Sequence, residues 1–146
     1  MLLPTHLAAG LIIGKLTGDY TVAFIGSTAV DLDHFFAFYR SNVLSKFKKM
    51  IAATTSQNFI VSDQRNYFHN IFFFLAISAI AIIINFEIGL VFSLAYLSHL
   101  ILDSLDDQVY FPFYPNKKIN SRGPIKYFSG QEIAFALVLF FIFLIV

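Results

Sequence analysis

Hydrophobic and polar positions alternate in long blocks along this chain, at a scale set by helices rather than strands. Residues 66–86 hold no Lys, Arg, Asp or Glu, and residues 71–84 are almost purely apolar. At about 1.5 Å per residue such a run crosses a hydrocarbon core of roughly 30 Å. A turn at Asn85-Phe86-Glu87 follows. Residues 88–102 form a second apolar run, interrupted only by Ser93, Ser98 and His99, with the helix expected to continue through Asp103 towards Asp107. Nearer the start, residues 7–16 are apolar apart from Lys15, and Thr17-Gly18-Asp19 is a turn signal. Residues 20–39 are mainly apolar but carry Asp31, Asp33 and His34. The last run, residues 133–146, is either a short fifth span or a helix lying partly in the interface. Residues 1–16 make a poor signal peptide, with no basic start and with Pro4 and His6 inside. The pattern predicts an all-α polytopic transmembrane helical bundle of four to five spans. It forms one integral-membrane domain: hairpin 5–39, cytoplasmic segment 40–66, hairpin 67–107, cytoplasmic or interfacial segment 108–130 and C-terminal helix 131–146.

Composition sharpens this picture. The chain has 146 residues, 58% hydrophobic and 13% charged, with mean hydropathy +0.72. Ordinary soluble domains carry roughly 25% charged residues. A net charge of +1 provides no field to hold a polyanion, so no nucleic-acid partner is expected. Cys is absent, which removes disulfides and thiolate metal sites. Of the 10 Lys and Arg residues, Arg40, Lys46, Lys48, Lys49 and Arg65 lie in 40–65, and Lys117, Lys118, Arg122 and Lys126 lie in 103–131. The positive-inside rule puts both segments in the cytoplasm, with the N-terminus on the same side of the plasma (inner) membrane. Lys46, Lys48 and Lys49 are read as lipid-facing charge. Pro112, Pro115, Gly123 and Pro124 exclude a continuous helix between them. Tyr110, Phe111, Phe113 and Tyr114 suit the headgroup level. Gly10 and Gly14 form a G-x-x-x-G pair, with Gly26 on the paired helix.

The chemistry emerges when depth is measured from the outer turns. His6 lies 12 residues before Gly18, Asp31 and His34 lie 13 and 16 after it, His69 lies 16 before Asn85, and His99 lies 12 after Glu87. At helical rise these offsets are roughly 18–24 Å. Ionisable groups from four helices thus reach a common depth near the cytoplasmic side, where each is costly unless paired or coordinated. His and carboxylate ligands suit a divalent ion such as Zn²⁺ or Mn²⁺. His99 and Asp103 are i,i+4, about 40° apart on a helix, and Asp106 shares their face. Asp31 and His34 are i,i+3. Asp33 is about 200° from Asp31, so a regular helix aims only one of them at a given ion. Either the helix opens there, or Asp33 serves another ion or a supporting role.

Plainer readings exist for each residue. His6 would be an interfacial cap. Asp31, Asp33 and His34 would be capping groups paired with Arg40. His69 would sit at headgroup level beside Asn70. His99–Asp103 would be a private pair. Arg65 would be a topology anchor, and Asp106 and Asp107 a solvated helix end.

Four stretches also carry a family resemblance. Thr5-His6-Leu7-Ala8-Ala9-Gly10 looks like T-H-x-x-x-G, and Val30-Asp31-Leu32-Asp33-His34 looks like P-D-x-D-H. Arg65-Asn66-Tyr67-Phe68-His69-Asn70 is similar to R-G-x-T-H-S, and His99-Leu100-Ile101-Leu102-Asp103 looks like H-x-x-x-D. Phe111-Pro112-Phe113 is a weaker echo. In this order the stretches resemble the YdjM/YbcI-like inner-membrane metal-dependent hydrolases, a group described as LexA-regulated. The resemblance implies hydrolase activity but supplies no substrate.

Together these readings give a membrane-bound metal-dependent hydrolase. His6, Asp31, Asp33, His34, His69, His99 and Asp103 are its candidate metal ligands. Asp33, or alternatively Asp106, is the base that takes a proton from water. Arg65 neutralises developing charge. The expected partners are membrane lipid and an amphiphilic substrate such as a lipid or phosphoester. Two alternatives stand beside it: an ion- or proton-binding transporter, and a non-catalytic membrane protein with a structural metal. Groups gathered at one depth favour a single site over a pathway.

Overall fold

The computed structural model describes residues 1–40 and 67–146, apart from the side chains of residues 35–37 and 40. Lys46, Lys48, Lys49 and Arg65 therefore lie outside the described residues, as does any pairing with the Arg40 side chain. The described chain is all-α. Its helices are α1 (Leu3–Thr17), α2 (Tyr20–Thr28), α3 (Leu32–Arg40), α4 (Ile71–Ile84), α5 (Phe86–Leu105) and α6 (Gly130–Ile145). A single 3-10 turn, Ala29–Asp31, separates α2 from α3. Five of these helices, α1, α2, α4, α5 and α6, pack as a bundle: α1 contacts α2, α5 and α6, and α5 also contacts α2 and α4.

The turns fall where the apolar blocks end. Gly18 closes α1 in the left-handed region at φ 79°, a conformation that favours glycine. Asp19 caps α2 by accepting from Val22 N at 3.0 Å. Asn85 alone joins α4 to α5: its N–H donates to Ala81 O, and its Oδ1 accepts from Ile88 N at 3.1 Å. The helix lengths depart from expectation. α5 takes up 20 residues and is long and apolar enough to cross a membrane, whereas the charge-free run before it yields only the 14 residues of α4. Residues 67–70 do not extend α4 because Asn70 is its extended N-cap, with Oδ1 accepting from Phe72 N. The anticipated single helix over 20–39 is broken at the 3-10 turn.

Two features fix α1, and with it His6. At one end Leu2 N–H donates to Glu132 Oε1 at 2.5 Å; at the other, Lys15 Nζ donates to Phe143 O at 2.9 Å. α1 and α6 thus run parallel and are tied at both ends. Gly10 and Gly14 both face α2: a Cβ on Gly10 would lie 2.2 Å from Ser27 Oγ, and one on Gly14 would lie 2.7 Å from the Tyr20 ring. Gly26 turns the other way, onto α5, where its Cβ would meet Phe92 O at 2.7 Å. Gly10→Val should therefore force α1 off α2, with the roughly 1–3 kcal/mol cost of overpacking, read as a lowered melting temperature in detergent.

No described residue between α5 and α6 is helical, as the prolines require. This segment instead finishes α5. Ile125 N–H donates to Leu105 O at 3.0 Å and Gly123 N–H to Asp106 O at 2.7 Å, supplying donors for carbonyls at the helix end. Tyr110 is buried at 3% exposure, and its backbone pairs with Ser121.

Candidate metal centre

Four segments deliver the chemistry: α1 gives His6, the 3-10 turn and α3 give Asp31, Asp33 and His34, the residues before α4 give His69, and α5 gives His99 and Asp103. His6, His69 and His99 are fully buried and Asp103 is 1% exposed. The ligand atoms converge. His69 Nε2 lies 3.1 Å from Asp103 Oδ2, 3.2 Å from His99 Nε2 and 3.9 Å from Asp31 Oδ1. His99 Nε2 lies 3.6 Å from both Asp31 Oδ1 and Asp103 Oδ2. His34 Nε2 is 3.3 Å from Asp31 Oδ1, and His6 Nε2 is 3.3 Å from Asp103 Oδ1. Three overlapping groups have the spacing to hold an ion: His6–Asp31–His99, Asp31–His34–His69 and His69–His99–Asp103.

The donor chemistry fits a cation better than it fits the protein alone. Ligands about 2.1 Å from an ion at tetrahedral angles lie about 3.4 Å from one another, the range seen here. Two imidazole Nε2 atoms face each other at 3.2 Å with carboxylate oxygens on either side. Neither ring nitrogen of the buried His6 has a hydrogen-bond partner among the described residues. The His6 ring stacks on His99, centroids 3.7 Å apart.

Outer contacts set which nitrogen faces inward. His99 Nδ1 lies 2.7 Å from Ser27 O. A backbone carbonyl only accepts, so Nδ1 carries the proton and Nε2 presents its lone pair to the cluster. His69 is held similarly, with Nδ1 donating to Asp33 Oδ2 at 3.2 Å. That same oxygen accepts from Phe68 N at 2.6 Å and His69 N at 3.3 Å. Asp33 is in none of the three ligand groups, and its Oδ2 meets the Nδ1 edge of His69. The 3-10 turn resolves the angular conflict between Asp31 and Asp33, since each points at a different edge of the His69 imidazole. Asp33→Asn should weaken metal binding roughly 10–100-fold without abolishing it, measured by competition with a chromogenic chelator.

Asp103 is not a private partner of His99: it also meets His6, His69 and the amino group of Met1. Asp106 is not a solvated helix end. It is 1% exposed, with Oδ2 2.9 Å from the Met1 amino group and Oδ1 accepting from Gln108 N at 2.9 Å. Asp107 is partly buried and accepts from Tyr127 N at 2.9 Å. Glu132 has no place in the sequence reading, yet it is fully buried, accepting from Leu2 N and from Phe128 N at 2.7 Å. Its available signal was Ser129-x-x-Glu132, a capping-box pattern at the start of α6. The site is closed on most sides and open on one: Asp31 and His34 side chains keep 22% and 23% exposure.

These residues form a buried His/Asp cluster able to coordinate a metal ion beside a helix long enough to cross a membrane. Comparison with curated proteins and with solved structures gave no match. A family model described as YdjM inner membrane protein matches residues 1–146. With the whole chain covered, this protein belongs to the YdjM inner membrane protein family.

Proposed function

We propose that this protein is a multi-pass, membrane-bound, metal-dependent hydrolase acting on an ester or phosphoester of an amphiphile. The observation that carries the reading is the convergence of His6, Asp31, His34, His69, His99 and Asp103 from four separate segments of the chain, with exposure confined to the Asp31–His34 side. A catalytic metal site needs such an open position, whereas a structural site is closed. A divalent cation, Zn²⁺ or Mn²⁺, would supply Lewis acidity and activate water at neutral pH. The chain's own residues do the rest. Ser27 and Asp33 hold His99 and His69 in the required tautomers. His34, open to solvent and absent from two of the three ligand groups, accepts the proton from water, a role that the engaged Asp33 Oδ2 and the buried Asp106 are less free to take. Arg65, four residues before His69, neutralises charge developing on an anionic substrate.

The helices run as two hairpins and a fifth span, with the N-terminus cytoplasmic. α4 and α6 are short for spans, but their outer faces are apolar: Ile83, Ile84, Leu137, Phe141 and Leu144 are each more than half exposed. Lipid is the solvent such surfaces suit.

The test is turnover by protein in vesicles across a panel of phospho- and carboxyl-ester lipids. Chelation should stop hydrolysis, and Zn²⁺ or Mn²⁺ should restore it. Stoichiometric metal with no turnover on any member would favour the structural reading, and metal-dependent uptake into sealed vesicles the transporter.

A further inference from the structure

A cavity of about 220 Å³ lies between α2, α4 and α5, next to the metal cluster. Its walls share backbone with the ligands. Val30 precedes Asp31, Phe68 precedes His69, and Tyr96 sits one turn before His99; all three line the cavity. Away from the cluster the lining is Gly26, Ala29, Phe73, Ile77 and Phe92. Every lining side chain is hydrocarbon except Tyr96, and its hydroxyl donates to Phe68 O. The cavity therefore offers no polar group to a ligand, and water gains little by entering it. Gly26 and Ala29 carry no side chain long enough to fill it. Leu32, at 53% exposure, is the exposed member of the lining and lies between Asp31 and Asp33.

We propose that this cavity binds one acyl chain of a membrane lipid and so places that lipid's headgroup linkage at the His/Asp cluster. The role rests on the hydrolase reading, since it names the tail of that enzyme's substrate; occupancy of the cavity does not depend on turnover. A methylene chain matches a wall without polar atoms. Continuity with the cluster distinguishes the cavity from the apolar faces of α4 and α6, which meet bulk lipid. With the headgroup linkage at the cluster, the acyl chain would run from Val30 and Phe68, each adjoining a ligand residue, past Phe73 towards Ile77 on α4.

The experiment is photocrosslinking of the full chain in vesicles of phosphatidylglycerol and phosphatidylethanolamine doped with a phosphatidylcholine bearing a diazirine in one acyl chain, with the adducts mapped by peptide mass spectrometry. Adducts should concentrate on Phe73, Ile77 and Phe92, above those on the more exposed α4 residues Leu75, Ile80 and Ile83. Ile77→Trp, which fills the cavity, should cut the cavity adducts about tenfold, the loss expected when roughly two methylenes forfeit their burial. It should leave bound metal unchanged. His99→Ala should keep the cavity adducts, which separates failure of this site from failure of the hydrolase. Adducts distributed in proportion to exposure, or cavity adducts that survive Ile77→Trp at full strength, would overturn the proposal. The wild-type map stands even if the tryptophan variant does not fold.

Discussion

His99→Ala should abolish stoichiometric metal binding while the helical bundle stays folded. His99 meets residues from each of the other segments that contribute to the cluster except His34 and Asp33 of α3. Its Nε2 faces His69, Asp31 and Asp103, its ring stacks on His6, and its Nδ1 is fixed by Ser27 O. Supporting residues of metal sites typically cost 10–100-fold in affinity when lost. Loss of the ligand itself should exceed about 100-fold, enough to leave the purified variant with a small fraction of the wild-type metal. Helix content should hold, since the cavity left behind is lined by polar groups that water can satisfy. Circular dichroism beside elemental analysis checks both halves. A variant that retains full metal places the ion elsewhere.

Asp103→Ala has the largest expected effect on stability. The carboxylate is buried and faces His6, His69, His99 and the Met1 amino group. Removing one partner of a buried ion pair costs about 3–5 kcal/mol, because the remaining charge stays desolvated and uncompensated. The loss should appear as a large fall in the thermal unfolding midpoint in detergent. Asp103→Asn should fall much less, since the amide keeps the volume and an accepting oxygen. If both variants melt with the wild type, the cluster is not held together by Asp103.

Much of this site was legible from the placement of charge in apolar sequence. His6, His69 and His99 stand in runs where a lone ionisable group is costly, and similar offsets from the outer turns put them near one depth. The i,i+4 spacing of His99 and Asp103 survives as an actual approach of 3.6 Å. The role of Asp33 was visible only as a conflict, about 200° from Asp31. Its resolution depends on a 3-10 turn that no Pro or Gly announces in Ala29-Val30-Asp31. The burial of Asp106 and Glu132 was not legible. Both sit at helix ends flanked by polar residues, the usual signature of solvent exposure. They are buried because the start of α1 folds back onto them, a contact between residues more than 100 positions apart. Helix lengths misled for a similar reason: Asn70 stops α4 through a local side-chain bond, against the apolar pattern around it. The glycines gave the close α1–α2 contact but not the turning of Gly26 onto α5, which hydropathy does not encode.

The central claim is that side chains from α1, the 3-10 turn and α3, the residues before α4, and α5 share a divalent cation. X-ray absorption at the metal edge of Zn²⁺- or Mn²⁺-loaded wild-type protein tests it most directly. The account predicts a shell of nitrogen and oxygen donors with the outer-ring scattering of more than one imidazole, diminished in His69→Ala. A spectrum of hydrated ion without imidazole scattering, or folded protein that takes up no metal at all, would contradict it.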